Sequence, residues 1–317
     1  MPAITLSFNS TNVRNAARFA WARLHLKVAT ALSPQKAVDA AAKLFTTPPR
    51  FAHRPRELEL LGAGERFDVE TSHGAVAAWR FGARTRPVVL LSHGWGGRGA
   101  QLRAFVPALL DAGYQPVLFD HIGHGFSGAE ESTLVHFIAG LDGVARRLEE
   151  EGALIAGVIG HSLGAAAAGS WLNESGRELR AVLIAPPTSL TRYSGYFARR
   201  LGIPEAIRHA MQERFERRLG KPWQAFELPQ SVSRVRAQAL VVHDAGDGDV
   251  AFGSGLALAR NWPGARLLRT TGLGHRAILR DPGVVADAID FIRDEVVFAP
   301  PPASGERHAY AAPSPAF

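Results

Sequence analysis

Cysteine is absent from the 317-residue chain. That absence excludes disulfides, thiolate catalysis, Cys-ligated zinc and iron–sulfur clusters. No apolar run approaches the ~18–20 residues of a membrane span, and the start of the chain lacks a signal peptide's apolar block and cleavage site. The expectation is therefore cytoplasmic. Nor is there a helix-borne H-E-x-x-H or an aromatic-interleaved basic motif. His121 and His124 have a spacing that metal ligands use, yet no carboxylate partner accompanies them, so a turn is the expectation and no metal, cofactor or nucleic acid is expected.

Apolar residues make up 46% and charged residues 21%, an ordinary balance for a globular protein with a packed core. The formal charge of +7 is unevenly placed: residues 1–50 carry +6, residues 191–236 another +6, and the remainder −5. Solvated basic faces account for both blocks, with peripheral membrane contact through the basic N-terminal helix as the alternative partner for the first. Oligomeric state is not legible.

Residues 12–31 place Val13, Ala17, Ala20, Leu24 and Val28 at helical spacing among arginines, which predicts an amphipathic helix packed on the main domain. Ser33-Pro34 starts a second helix and Thr47-Pro48-Pro49-Arg50 ends it. From Arg66 the pattern becomes short β runs alternating with helices, at 66–71, 75–82, 87–92, 116–120, 154–160, 181–185, 238–243 and 266–270. This is the pattern of a largely parallel sheet covered by helices. Val88–Leu91 and Ala181–Ile184 do not alternate, as expected of strands buried on both faces. The division is an extension over 1–60, a core over 61–190 and 237–298, a helical lid over 191–236 and a Pro- and Ala-rich disordered tail over 299–317.

After the strand at 154–160 the chain reads Gly160-His161-Ser162-Leu163-Gly164 and enters a helix. A strand running into a helix through G-x-S-x-G has the nucleophile-elbow pattern, in which small residues two places either side of the serine permit the tight turn, with a serine that merely caps the helix as the alternative. A serine hydroxyl needs a base within reach and a third group to orient that base. His275, in Gly272-Leu273-Gly274-His275, supplies the base, and Asp244, Asp247 and Asp249 compete for the third position. The rival reading comes from Gly94, Gly96 and Gly99, which spell G-x-G-x-x-G after a strand, with Asp120 ending the next one. That dinucleotide reading leaves Ser162 and His275 unexplained, and two strands precede its supposed first.

Five motifs, His93-Gly94-Trp95-Gly96-Gly97, Phe119-Asp120 with Gly123-His124-Gly125-Phe126-Ser127, G-x-S-x-G, His243-Asp244 with Asp247, and Gly272–His275, stand in the order of the α/β-hydrolase superfamily. The chain resembles that superfamily over about residues 66–297. The resemblance implies an α/β fold with an eight-stranded, mostly parallel sheet flanked by helices, strand two antiparallel, and a helical lid after strand six. It selects Asp247, three residues before Val250, as the acid. Trp95 and Leu163 N–H groups become the oxyanion donors, and His93, Gly94, His161, Tyr193, Tyr196 and Phe197 the substrate contacts, with Phe215, Trp223 and Phe226 as further lid aromatics. A serine at the elbow favours acyl chemistry on a small-molecule ester or thioester. Acyl transfer, peptidase or C–C hydrolysis on the same triad, or a non-catalytic hydrolase fold, remain as alternatives.

Overall fold

The structure, a computed structural model, describes residues 13–293 and 308–311. Among the described residues, nine strands form one sheet: β1 Glu65–Thr71, β2 Gly74–Arg80, β3 Val88–Ser92, β4 Gln115–Phe119, β5 Ile155–His161, β6 Arg180–Ile184, β7 Gln238–Asp244, β8 Arg266–Thr270 and β9 His308–Ala311. Their order is β1-β2-β4-β3-β5-β6-β7-β8-β9. β1 and β2 form a hairpin closed at Thr71 and Gly74, β2 is antiparallel to β4, and β3 to β8 run parallel. The non-alternating runs of β3 and β6 lie in the middle of the sheet and are buried on both faces.

Among the described residues, twelve α-helices accompany the sheet: α1 Val13–Leu32, α2 Pro34–Thr46, α3 Pro55–Ala63, α4 Phe105–Asp111, α5 Leu134–Glu150, α6 Leu163–Ser175, α7 Leu190–Leu201, α8 Glu205–Leu219, α9 Leu228–Ser231, α10 Phe252–Asn261, α11 Gly274–Ala277 and α12 Pro282–Arg293. One face of the sheet packs on α5, α6 and α10 through Phe137, Leu141, Trp171 and Leu258. The other packs on α4 and α12 through Phe105, Leu109, Phe291 and Ile292. Each such side chain contributes roughly 1.5–3 kcal/mol by leaving water, and this two-sided burial is what holds the strand ends rigidly in place.

A third core lies above the C-terminal edge of the sheet. It joins the N-terminal helices to the helices between β6 and β7, through Leu26, Val38, Phe197, Ile207, Met211 and Trp223. The extension and the insertion thus make one roof. Its first helix is rotated from the sequence expectation. α1 buries Ala22, Leu26 and Ala29, whereas Leu24 and Val28, expected on its packed face, are exposed together with Trp21 and Leu32. The small side chains of Ala22 and Ala29 let α1 approach α2 and α7 closely, which bulkier residues on the other stripe would prevent.

The tail also departs from expectation. Residues 308–311 pair antiparallel with β8, on the one edge of the sheet where a short segment free of proline finds open ladder partners. The rest of 299–317 lies outside the described residues, as do 1–12 of the extension. No helix among the described residues is long and apolar enough to cross a membrane.

Candidate active site

β5 delivers Ser162 into a backbone conformation that L-residues avoid, φ 52° and ψ −124°, immediately before α6. The turn closes because both flanking glycines lack a side chain. A Cβ on Gly160 would sit 2.6 Å from Ala165 Cα, and one on Gly164 would sit 2.3 Å from the His93 carbonyl oxygen. Ser162 N–H donates to the Ile184 carbonyl of the neighbouring strand at 2.8 Å. The strain is thereby held by packing on both sides, and the hydroxyl stands at a helix N-terminus where the first N–H groups have no intrahelical partner.

The loop after β3 passes directly over this turn. A Cβ on Gly94 would lie 2.8 Å from Ser162 Cβ, so only glycine permits this close approach of the loop to the turn. Buried histidines brace the loop from behind. His93 is fully buried; its Nδ1–H donates to the Gly94 carbonyl at 2.7 Å, and its Nε2 accepts from His121 N–H at 2.9 Å. His124 Nε2 accepts from Gly96 N–H at 3.0 Å while its Nδ1–H donates to the Ile122 carbonyl. Burial pushes the His93 pKa well below its ordinary value and that of His124 down to about 4, so both rings are neutral in these tautomers.

Asp120 completes the bracing. Its carboxylate, 1% exposed, accepts from Gly99 N–H at 2.7 Å and Phe126 N–H at 2.8 Å. A carboxylate occupied in this way is not presented to a ribose, and the G-x-G-x-x-G segment is the loop over Ser162.

At the end of β7, Asp247 turns back into the site with its side chain buried. Its Oδ1 accepts from the N–H groups of Asp249 at 2.8 Å and Val250 at 2.9 Å, and its Oδ2 from His275 Nδ1–H at 2.7 Å. Burial, the largest single influence, would raise this carboxyl's pKa. The nearby His243 ring, 3.6 Å away, and the hydrogen bonds from His275 and Val250 outweigh it and hold the group ionised, far below the usual carboxylate range. With Nδ1–H committed to Asp247, the His275 Nε2 lone pair is the free one. His161 Nε2–H donates to the His275 carbonyl at 2.8 Å, fixing the position of the α11 turn. Burial, with His275 close by, takes the His161 pKa down to about 3.

The other two acids are placed differently. Asp244 is fully buried and shapes the loop, accepting from Gly246 N–H, the Thr270 hydroxyl and Leu273 N–H at 2.9, 2.9 and 3.0 Å. Asp249 lies 3.6 Å from Arg276.

Ser162 and His275 open into one cavity of about 1350 Å³, which Gly94, Trp95, His161, Leu163, Tyr193 and Tyr196 also line. Two residues expected to touch substrate do not reach it. His93 lies behind the loop, both ring nitrogens satisfied, because the packing needs its neutral imidazole as a brace. Phe197 is 1% exposed and packs edge-on against Phe45 at 5.1 Å, its ring spent on the roof's core.

The roof supplies what the motifs do not announce. Phe45, Pro49 and Phe51 of the N-terminal segment line the cavity, and Phe45 is 5.7 Å from the Tyr193 ring and 6.3 Å from that of Trp223. The sequence signal was the extended Thr47–Arg50 stretch after α2, a segment that needs another surface to lie on.

The strand order, the helices on both faces and the placement of Ser162, Asp247 and His275 at the C-terminal ends of β5, β7 and β8 define an α/β-hydrolase fold. Residues 83–249, more than half of the chain, match the Hydrolase_4 family model, described as serine aminopeptidase, S33. The chain belongs to that family. Comparison with curated proteins gives no match. Among solved structures, the Pyrococcus furiosus esterase Pf2001 shares 21% identity at a TM-score of 0.59, over 78% of this chain and 98% of that one. The Rhodococcus sp. esterase RhEst1 shares 19% at 0.56, over 74% and 100%. The Cycloclasticus zankles serine hydrolase CCSP0084 shares 18% at 0.56, over 72% and 98%. At these identities the likeness speaks for the fold.

Proposed function

We propose that this protein is a serine hydrolase that cleaves a small-molecule carboxylic ester or thioester through an acyl-enzyme. The observation that carries the reading is the 2.7 Å bond from His275 Nδ1–H to a buried, ionised Asp247, which leaves Nε2 as a base in the cavity that also holds Ser162. In this reading His275 Nε2 takes the Ser162 proton as the oxygen attacks the carbonyl carbon. The N–H groups of Trp95 and Leu163 receive the oxyanion, and the leaving alcohol or thiol departs with the proton from His275. A water that gives its proton to the same nitrogen then attacks the acyl-enzyme, and the acid is released as Ser162 is reprotonated. α7 and α8 act as a lid, with Phe45, Tyr193, Phe215 and Trp223 walling the acyl pocket.

The family description raises a second reading, removal of N-terminal residues from peptides. Such a substrate brings a free ammonium group, which needs an unpaired carboxylate. The cavity's carboxylates, Glu57, Glu205 and Asp249, face Arg98, Arg208 and Arg276 respectively. Ester cleavage therefore fits better. A fluorophosphonate probe should label Ser162, and Ser162→Ala or His275→Ala should abolish labelling. Turnover of p-nitrophenyl esters or acyl thioesters should exceed that of aminoacyl p-nitroanilides. Labelling that survives Ser162→Ala, or activity on the anilides alone, would overturn the proposal.

A further inference from the structure

The cavity is lined by eight arginines, Arg54, Arg98, Arg103, Arg192, Arg199, Arg208, Arg276 and Arg280, against three carboxylates. Each carboxylate already faces an arginine. Glu57 pairs with Arg98 at 2.6 Å, Glu205 with Arg208, and Asp249 with Arg276 at 3.6 Å. Arg54, Arg103, Arg192, Arg199 and Arg280 have no side-chain hydrogen-bond or ion-pair partner among the described residues. They come from separate elements: the start of α3, the turn before α4, the same face of α7 seven residues apart, and the turn after α11, five residues beyond His275.

This concentration is not a reflection of overall charge. Outside residues 1–50 and 191–236 the sequence carries −5, yet Arg54, Arg103, Arg276 and Arg280 all belong to that acidic remainder. With Arg98, five of its arginines converge on one opening, and only two of its acids, Glu57 and Asp249, join them. Like charges brought together around a concave surface repel one another, and the cost is offset when the bound molecule supplies the opposite sign. Guanidinium groups also match the planar oxygens of carboxylates and phosphates.

We infer that the substrate is an anion: an ester or thioester whose non-reacting end carries a carboxylate or phosphate group. This rests on the ester-cleaving reading above and adds the substrate class. The scissile carbonyl sits over Ser162 while the anionic end lies among Arg103, Arg192, Arg199 and Arg280. The acyl and leaving groups supply two sources of that charge. A half-ester of a dicarboxylic acid carries it on the acyl side, and a coenzyme A thioester carries phosphates on the leaving side.

Matched pairs separate these sources from each other and from a merely solvated basic rim. Hydrolysis of p-nitrophenyl hemiglutarate is compared with that of p-nitrophenyl valerate, and butyryl-coenzyme A with butyryl-N-acetylcysteamine. In at least one pair the anionic member should be favoured in kcat/KM by about tenfold or more at low salt. The preference should shrink as sodium chloride is raised, because charges at an open mouth are screened within ~8–10 Å. Arg199→Glu and Arg280→Glu should each reduce the ratio, and whichever pair responds identifies the source. Equal or greater rates for the neutral members, or a preference unaffected by salt and by both substitutions, would overturn the inference. Calorimetric titration of the Ser162→Ala protein with glutarate and with adenosine 3′,5′-bisphosphate reads the anion site without catalysis. Salt-sensitive binding there, with no hydrolysis and no Ser162 labelling in the wild type, would sustain the anion site and sink the ester-cleaving reading alone. Absence of binding for both ligands beside normal ester turnover would do the reverse.

Discussion

Two aspartates, three positions apart on one loop, carry different burdens, and the difference is testable by the same substitution in each. Asp247 meets a ring nitrogen whose proton sets which tautomer faces Ser162, whereas Asp244 meets only the backbone and Thr270. In Asp247→Asn the carboxamide keeps the shape but offers an N–H where His275 Nδ1–H needs an acceptor, which favours the unproductive tautomer. We expect kcat on a p-nitrophenyl ester to fall on the order of 10³- to 10⁴-fold, with the folded circular-dichroism spectrum retained. Asp244→Asn places an amide donor among three donors, so its cost is structural, about 1–3 kcal/mol by urea unfolding, with kcat within about tenfold of wild type. The reverse pattern would assign the orienting role to Asp244. The elbow was legible in the residue string because its constraint is local: Gly160 and Gly164 are required by atoms within five residues or on the adjacent strand. The choice among the three acids rests on the family's spacing to Val250, whose N–H bonds Asp247 directly.

At the scale of elements, the segment from α2 to α3 is fastened to the loop over Ser162. Pro49 packs where a Cβ on Gly96 would lie 2.7 Å from its ring, and Glu57, which also accepts from Arg54 N–H to start α3, pairs with Arg98. Both members of that pair are buried, Glu57 at 3% and Arg98 at 6% exposure. Removing one charge leaves the other largely buried without a counter-ion, so Glu57→Gln should destabilise the protein by about 3–5 kcal/mol. The double variant Glu57→Gln/Arg98→Met should recover much of that loss in urea unfolding. Additive losses would show the two side chains to be independent. None of this was legible in the sequence. Strand positions follow from runs of Val, Ile and Leu whose burial is decided within a few residues. Helical spacing in residues 12–46 announces two apolar stripes without saying which neighbour each one meets. Leu24 and Val28 looked like the packed face because spacing alone does not say which stripe α2 and α7 cover, and Phe45 did not look like a cavity wall because its aromatic partners, Tyr193, Phe197 and Trp223, lie about 150 residues or more away along the chain.

Across the whole molecule, the rigidity of the site depends on imidazoles that must stay neutral. His93, His121, His124 and His161 are all buried, and in each burial is the largest cause of a lowered pKa, to about 4 for His124 and about 3 for His161. In the unfolded chain the same rings protonate near 6.5. Between that value and the folded pKa the unfolded state binds more protons, so stability is fully present above pH 6.5 and is lost as the pH falls through this window. Each ring then costs about 1.4 kcal/mol at pH 5.5, and four together approach the ~5–15 kcal/mol that holds a typical domain folded. The carboxylates whose pKa is lowered, Glu57, Glu149, Glu151, Asp244 and Asp247, act in the same direction but lower down, whereas burial raises Asp120 and gives it the opposite sign. The Arg80 hydrogen bonds take Glu151 down to about 2, so its contribution persists until the pH falls below 4.5. The two windows are thus separable. The urea midpoint should be level from pH 8 to 6.5 and should drop steeply between 6.5 and 5, before the carboxylates with lowered pKa titrate. His121→Asn, which removes a titrating ring while offering Ser92 an amide partner, should make that drop shallower by about one proton's worth of slope. A midpoint unchanged down to pH 5 would mean that these rings titrate alike in the folded and unfolded chain, and that buried neutral histidine is not what limits this protein in acid.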